Sequence, residues 1–457
     1  MRNACSKSIA VLGAGATGLA AAHRLVQLGH RVRLFEASDR VGGAVRTEKV
    51  DGWLIESGPN SMLADEPAVA TLIDELGLAA ECLKANAVAK NRYIVRRGKL
   101  MAAPLSPPSF FTSSLFSAGA KLRLFAELLS RRRTRPTDIS LEDFVRAHFG
   151  QELVDYGLNP FVGGVYAGDP RKLSARHSFP KLWEIEQKHG SIIRGQIAEA
   201  KARKASGQPS AGGIISFTHG LQTLPAALAA RLPAGTLSTG ARVEALVPDP
   251  KWSVAWIDGS TTRTESFDKV VSALSAPALA QIHFDRSGAR LFASFEAIEH
   301  PPVASLFLGY RREQVGHPLD GFGALVPEIE KRALLGILFS STLFPGRAPE
   351  GHVAVTVMVG GMRQPELARL SPDDLLVVVG QDLRQLLDVK GEPVFQRHSF
   401  WPQAIPQYNL GYEVHLEKMA AVERANPGFY LGGQARDGIA LPACIAAGEK
   451  LARRAVA

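Results

Sequence analysis

The sequence predicts an α/β protein: a discontinuous parallel-sheet domain, a second mixed α+β domain and a helical insertion. Three observations carry that prediction. A short apolar run, Ser8 to Leu12, is followed by glycines and then by apolar residues at helical spacing from Ala16 to Leu28. A strand-like run, Arg31 to Glu36, completes a β-α-β unit at the start of the chain, the seed of a parallel sheet covered by helices. Strand patterns return only after a long stretch rich in helix formers, Pro104 to about Gly207, so the sheet must be assembled from separated pieces.

Gly29 stops the first helix. Beyond the small, polar stretch Ser206 to Gly213, strand patterns appear at Gly240 to Val247, Ser253 to Ile257 and Lys269 to Ser272. Alternating apolar segments between Val303 and Val359, including Leu334 to Phe339 and Val353 to Val359, predict a second sheet. Gly428 to Gly433 reads as a strand and Ala440 to Ala455 as a helix. In chain order this gives a first piece of the sheet domain at 1–88, the insertion at 89–209, and a second piece at 210–290. The second domain's sheet follows at 291–394, and a C-terminal piece of the first domain at 395–457.

Composition excludes several classes. A chain of 457 residues is far longer than the roughly 100–200 of one domain. With 46% hydrophobic and 21% charged residues it can bury a large core, which argues against extended disorder. Cys5, Cys82 and Cys444 are odd in number and lack metal-ligand spacing, so neither a disulfide framework nor a zinc or other metal site is expected, and a reducing cytoplasm is. No apolar run reaches the ~18 residues of a membrane span. Residues 1 to 8 lead straight into a strand and not a signal peptide, so any membrane contact is peripheral. The formal charge of +9 favours an anionic partner, but no groove-reading motif accompanies it, so nucleic acid is not expected.

The chemistry sits first in Gly13-Ala14-Gly15-Ala16-Thr17-Gly18, a G-x-G-x-x-G turn between strand and helix. Gly13 permits the tight turn, Gly15 lets backbone approach a pyrophosphate, and Gly18 lets helix and strand pack closely. The helix start offers free N–H groups and partial positive charge. Glu36, at the end of the next strand, suits a ribose diol. After Glu36-Ala37 comes Arg40 with Gly42-Gly43-Ala44-Val45-Arg46, whose glycines allow a second close approach and whose guanidiniums can neutralise a diphosphate. That continuation favours FAD over nicotinamide in a Rossmann-like domain.

At this point the sequence resembles the FAD-dependent amine oxidase superfamily. A narrower resemblance runs nearly the whole length: Glu56-Ser57-Gly58-Pro59-Asn60-Ser61, Asn159 to Pro170, Ile405-Pro406-Gln407-Tyr408 and Gly438 to Ile445 look like the protoporphyrinogen oxidase family. The resemblance implies an amine-oxidase-like architecture. It places FAD contacts at Gly58, Pro59, Asn60 and Ser61, at the Val243 backbone, at Trp401, and at Ile439, Ala440 and Leu441. Arg92 matches the family's partner for a propionate carboxylate. Leu325, Leu338 and Met358 match its apolar wall, Met358 standing where phenylalanine is frequent. Gly164 matches a glycine whose carbonyl meets the reacting carbon.

No side-chain acid, base or nucleophile stands out; His23, His177, His219, His398 and His415 read as structural. That suits a reaction in which the flavin carries the redox chemistry and the protein orients. Cys444, inside the C-terminal motif, reads as a small buried residue, so the FAD is expected to be non-covalent. Leu115, Leu122, Leu124, Phe125, Leu128 and Leu129 lie among Lys121, Arg123 and the Arg131, Arg132, Arg133 and Arg135 cluster. This basic amphipathic segment is where relatives touch membranes.

The function expected is a six-electron oxidation of protoporphyrinogen IX with molecular oxygen as acceptor, with coproporphyrinogen III as the alternative substrate. An amine oxidase, a polyene desaturase and a non-catalytic tetrapyrrole carrier are the rivals. A homodimer is compatible with this reading.

Overall fold

The protein is described by a computed structural model over residues 6–130, 137–205, 212–284 and 287–457. The arginine cluster at 131–135 and residues 206–211 lie outside it, as does Cys5. Five parallel strands form the first sheet in the order Leu237–Ser238, Arg31–Phe35, Ser8–Leu12, Lys269–Ser272 and Phe429–Leu431. They come from three separated stretches of chain, as the sequence predicts.

The pleat of Ser8–Leu12 explains the layers on either side. Ile9 and Val11 face the helices Ala16–Gln27 and Leu441–Val456, whereas Ala10 and Leu12 face a four-stranded sheet that contributes Trp252, Val254, Trp256 and Phe267. The first and last helices cross so closely that a Cβ on Gly448 would stand 2.4 Å from the Thr17 carbonyl oxygen. The two ends of the chain therefore meet in one core.

The second sheet has seven strands, in the order Phe395–Trp401, Val303–Arg311, His352–Gly360, Leu334–Leu338, Gly321–Leu325, Asn91–Arg96 and Lys99–Ala102. Alternation along the strands sends Leu306, Leu308, Val355, Val357 and Ile337 to one face, which the helix Pro372–Leu387 covers through Leu375, Val379 and Leu383. The opposite face turns toward the FAD-binding side.

Two expected boundaries move. Asn91–Arg96 and Lys99–Ala102 belong to the seven-stranded sheet and not to a helical insertion starting at 89, and Phe395–Trp401 is the opposite edge of that sheet and not part of a C-terminal FAD-binding piece. The first pair escaped notice because Arg96, Arg97 and Lys99 mask a short hairpin, and the other because Gln396, Arg397 and His398 make an edge strand polar. The insertion proper is helical from Pro107, with a core of Leu141, Phe144, Val154, Val162, Leu173, Ile185 and Ile192.

Candidate active site

The opening turn has the geometry that its glycines predict. Gly13 sits at φ +90° and donates its N–H to the Phe35 carbonyl at 2.7 Å. A Cβ on Gly18 would lie 1.8 Å from the Gly13 oxygen, so only glycine fits. Gly15 differs: a Cβ there would meet nothing within 4 Å, open space at the start of the helix. No side chain caps that helix at Gly15, and none caps the last helix at Ala440, so both expose N–H groups to a ligand.

Glu36 stands beside the turn. Its Oε2 accepts the Ala14 N–H at 2.8 Å and its Oε1 accepts the Ser38 N–H at 2.9 Å, which fixes the carboxylate while leaving lone pairs for a diol. The second glycine pair packs onto the first: Gly42 donates to the Ala14 carbonyl at 2.8 Å, and a Cβ on Gly43 would stand 3.3 Å from the Gly15 Cα. Arg40 is placed differently from the sequence reading. Its guanidinium donates to the carbonyls of Gly43 at 2.8 Å and Val45 at 3.1 Å, so it holds the turn in shape, with Nε–H left over among the five donors. Arg46 is half exposed and pairs with Glu48 at 2.7 Å.

The Gly58 to Ser61 segment joins this cradle. Ser57 donates to the Arg46 carbonyl, and a Cβ on Gly58 would stand 2.0 Å from the Ala44 oxygen. Trp401, on the edge strand of the second sheet, donates its indole N–H to the Ser57 carbonyl at 2.8 Å. Buried Ser57 Oγ and Gln222 Oε1 have no hydrogen-bond partner here, which fits a cradle whose remaining partner is a bound dinucleotide. Val243 lies at a bulge in the strand Ala241–Asp249, just beyond the Glu36 carbonyl that accepts the Ala241 N–H. Ile439, Ala440 and Leu441 lead into the last helix after Gly438 at φ +121°.

Cys444 is buried one turn into that helix, and burial pushes its thiol up to about 11. A thiol held protonated is a poor nucleophile, consistent with non-covalent FAD.

Glu56 is a buried carboxyl that sequence reasoning passed over. It accepts from Thr47 Oγ1 at 2.7 Å and from the Leu221 N–H at 2.8 Å, tying the strand after the arginine-glycine turn to the turn that enters the helix Thr223–Ala230. Burial raises its pKa to about 7, against the opposing pull of those bonds and of Arg347.

The residues expected on the substrate side lie on one face of the seven-stranded sheet, the one away from the helix Pro372–Leu387. Register sets Arg92 opposite Gly323 and Gly323 opposite Leu338; in the next row Leu325 faces Gly336, which faces Met358. Trp401 pairs with Val303 two residues from Ser305, the partner of Met358, and so shares the face. Leu325, Leu338 and Met358 are all half-buried, where periodicity alone assigns them to the core. Arg92 is exposed, its guanidinium carbon 5.4 Å from the Phe322 ring centre.

Gly164 lies on the helix Asn159–Tyr166, directly over Leu325: a Cβ on Gly164 would stand 2.3 Å from Leu325 Cδ2. The Ile405 to Tyr408 motif anchors the end of this helix, since Gln407 Nε2 donates to the Tyr166 carbonyl at 2.9 Å. A π-helical stretch, Val154–Leu158, precedes it, an irregularity common beside functional sites.

Histidine partners are spatial rather than sequential. His177 Nε2 lies 3.4 Å from Glu413, and His23 is 3.5 Å from Glu75. His148 is held between Glu127 at 3.0 Å and Glu186 at 2.9 Å inside the insertion. Those carboxylates stand 21 and 38 residues away on other helices, too distant in sequence for any motif.

Residues 16–456 match the family of flavin containing amine oxidoreductases. The chain is 36% identical to protoporphyrinogen oxidase 2 of Arabidopsis thaliana, over 98% of this chain and 93% of that one. It is 29% identical to the coproporphyrinogen III oxidase of Bacillus subtilis, over 97% and 96%. A crystal structure from Exiguobacterium sp. 255-15, provisionally assigned as a protoporphyrinogen oxidase, superposes with a TM-score of 0.83 at 24% identity, covering 99% of each chain, and supports the fold. A putrescine oxidase variant matches at a TM-score of 0.72 and 17% identity over 99% of each chain. The chain is an FAD-dependent oxidoreductase that belongs to the flavin-containing amine oxidoreductases and, within them, to the protoporphyrinogen oxidase family.

Proposed function

We propose that this enzyme oxidises protoporphyrinogen IX to protoporphyrin IX. The observation that carries the reading is the shared face of the second sheet, where Arg92, Leu325, Leu338, Met358 and Trp401 line up beside the Gly164 helix. Such a face offers a flat apolar guest one wall and its carboxylate one cation. Bound FAD would supply the hydride acceptor, with dioxygen regenerating it, in three two-electron rounds.

This chain's own residues supply orientation. Arg92 is suited to a propionate, a charge-assisted pair contributing roughly 1.5–3 kcal/mol. The apolar wall displaces water from the macrocycle, and the Gly164 backbone can approach the guest because no side chain intervenes. Trp401 links wall and cradle through Ser57. Gly13, Gly15, Gly18, Glu36 and the Gly42–Gly43 turn would hold the dinucleotide, with Arg40 stiffening that turn.

Coproporphyrinogen III is the second reading, favoured by the likeness to the Bacillus subtilis enzyme. Arg397 stands elsewhere on that face but is paired with Glu48 at 3.0 Å, whereas Arg92 is exposed and has no carboxylate partner among the described residues. That suits two propionates better than four. Preparing both porphyrinogens anaerobically and comparing kcat/KM tests the choice; a higher value for protoporphyrinogen IX is expected, and the reverse order overturns it.

We further infer a cytoplasmic protein in peripheral contact with a membrane, a reading with which a homodimer is compatible. No helix of the described residues is long and apolar enough to cross one. The contact is supported by Leu122, Phe125 and Leu129, exposed beside Lys121 and Arg123 on and just beyond the helix Ala118–Leu128.

A further inference from the structure

The helix carrying Gly164 is a poor helix by itself. Asn159–Tyr166 has eight residues, includes Gly163 and Gly164 side by side and two β-branched valines, and is entered through a π-helical stretch. Each glycine costs about 1 kcal/mol relative to alanine in a helix interior. So short a segment has no independent stability in water. Its position must come from tertiary clamps.

Those clamps converge on the turn formed by Gly360, Gly361, Met362 and Arg363. At the end of the helix, the Met362 N–H donates to the Ala167 carbonyl at 2.8 Å. At its beginning, Arg363 Nη2 donates to Asn159 Oδ1 at 3.2 Å, while Nη1 donates to the Val326 carbonyl at 2.9 Å, one residue beyond the strand that carries Leu325. Between these points the same Nη2 lies 3.0 Å from where a Gly163 Cβ would stand, as Leu325 Cδ2 does at 2.3 Å for Gly164. Asn159 is held in turn by Glu328, whose N–H donates to Oδ1 at 2.8 Å and whose Oε2 accepts from Nδ2 at 3.0 Å. One planar guanidinium therefore ties the first residue of the helix to the chain just beyond the Leu325 strand and packs against Gly163.

We propose that Arg363 is a positioning residue for the oxidation: without touching the substrate, it fixes the Gly164 backbone against Leu325 and so sets where the macrocycle's reacting carbon lies. This inference rests on the porphyrinogen oxidase reading above. Lysine would keep the charge but cannot reproduce the fork that reaches both acceptors in one plane.

The test uses FAD-loaded enzyme, mixed anaerobically with protoporphyrinogen IX and followed at the flavin absorption band, for Arg363→Lys, Asn159→Ala and the double variant. FAD content and thermal midpoint are measured on the same samples. Flavin reduction is expected to slow by about ten- to a hundredfold in each single variant, the scale of a small misplacement at a reacting centre. FAD content and KM stay close to the parent, and the double variant loses less than the product of the two single effects, because both remove the shared Arg363–Asn159 bond. Should Arg363→Lys fail to fold, Arg363→Gln, which keeps an amide donor but not the fork and leaves the Asn159–Glu328 bonds in place, takes its position in the cycle and decides the matter. Flavin reduction at the parental rate, or a loss confined to KM or thermal stability, overturns the positioning role. Parent enzyme whose flavin is reduced by an amine and by neither porphyrinogen would overturn the functional reading instead, a distinct outcome.

Discussion

The parallel-sheet region and the helical insertion follow opposite rules of burial. Around the first sheet, Ile9, Ala10, Val11 and Leu12 are fully buried, and the first helix sends Arg24 outward to Glu75 and Glu449. In the insertion, the helix Ala118–Leu128 buries Glu127 and exposes Leu122 and Phe125, and Leu129 just beyond its end is 82% exposed. Glu127, His148 and Glu186 form a charged centre where the sheet region has aliphatic side chains. Ser191 Oγ and the Ile192 N–H add two more donors to Glu127, at 2.8 Å and 2.6 Å. The difference teaches that the first region is held by apolar area, whereas the insertion fixes the mutual register of four helices through a few directional bonds and leaves apolar surface for a partner.

The sharpest way to break this comparison is to remove His148. His148→Leu leaves two carboxylates buried without their cation, and the expected loss is about 3–5 kcal/mol. Replacing the whole centre, with Glu127→Met, His148→Leu and Glu186→Leu together, should cost less than the single change, since well-packed apolar residues can substitute for a buried ion set. Urea midpoints followed by Trp183 fluorescence, in a background where the other tryptophans are phenylalanine, measure both. A single variant as stable as the parent would show that the centre holds nothing. The centre should also respond to pH in two directions. Burial opposes the charged imidazole of His148, but the bonds from Glu127 and Glu186 outweigh it and raise its pKa; its contribution is therefore complete below the ordinary histidine value and lost as pH rises through the raised one. Burial likewise disfavours ionised Glu127, yet its bonds from His148, Ser191, Ile192 and Ile193 lower its pKa, so that contribution is present above the ordinary carboxylate value and lost as pH falls through the lowered one. Trp183 fluorescence should thus report loosening at both ends of the scale.

The next effect turns on one glycine of the sheet region. Gly15→Ala places a methyl in open space, so the protein should fold, but that space is where the pyrophosphate would lie. FAD affinity is expected to fall at least about tenfold, roughly 1.4 kcal/mol, with the midpoint of the FAD-free protein unchanged. Equilibrium dialysis against FAD checks the first part and thermal unfolding the second. Unaltered affinity would move the dinucleotide away from the helix start.

How much was legible in the sequence follows the same division. The first strand, helix and second strand could be placed to within a residue, because a parallel strand buried on both faces is a continuous apolar run and its turn must contain glycine at Gly13 and Gly18. The last strand and helix were legible for the same reason. One hydrogen-bonding role is not legible there: Arg40 reads as a phosphate ligand in sequence, and the fold shows that it also bonds the Gly43 and Val45 carbonyls. The Thr261–Phe267 strand was invisible because it is an exposed edge whose residues before Phe267 are all polar. Arg363, Glu56 and His148 act through partners 204, 165 and 38 residues away, separations at which no local pattern exists.

The smallest effect on stability, and the one that decides what the exposed apolar surface is for, comes from Leu122, Phe125 and Leu129. They are 70%, 54% and 82% exposed, and Phe125 stacks on Phe111 at 4.9 Å. Changing all three to serine removes little buried area, so the unfolding midpoint should shift by no more than about 0.5 kcal/mol per site. Were these residues part of a core like that around Ile9, each change would cost several times more. Binding to vesicles containing anionic lipid should nevertheless disappear, because a contact made by apolar side chains entering the interface, with Lys121 and Arg123 at its rim, loses its inserted area. Flotation of parent and variant with such vesicles gives the answer. A parent that does not float leaves the patch to a protein partner, whereas a variant that floats like the parent assigns the contact to the basic residues alone.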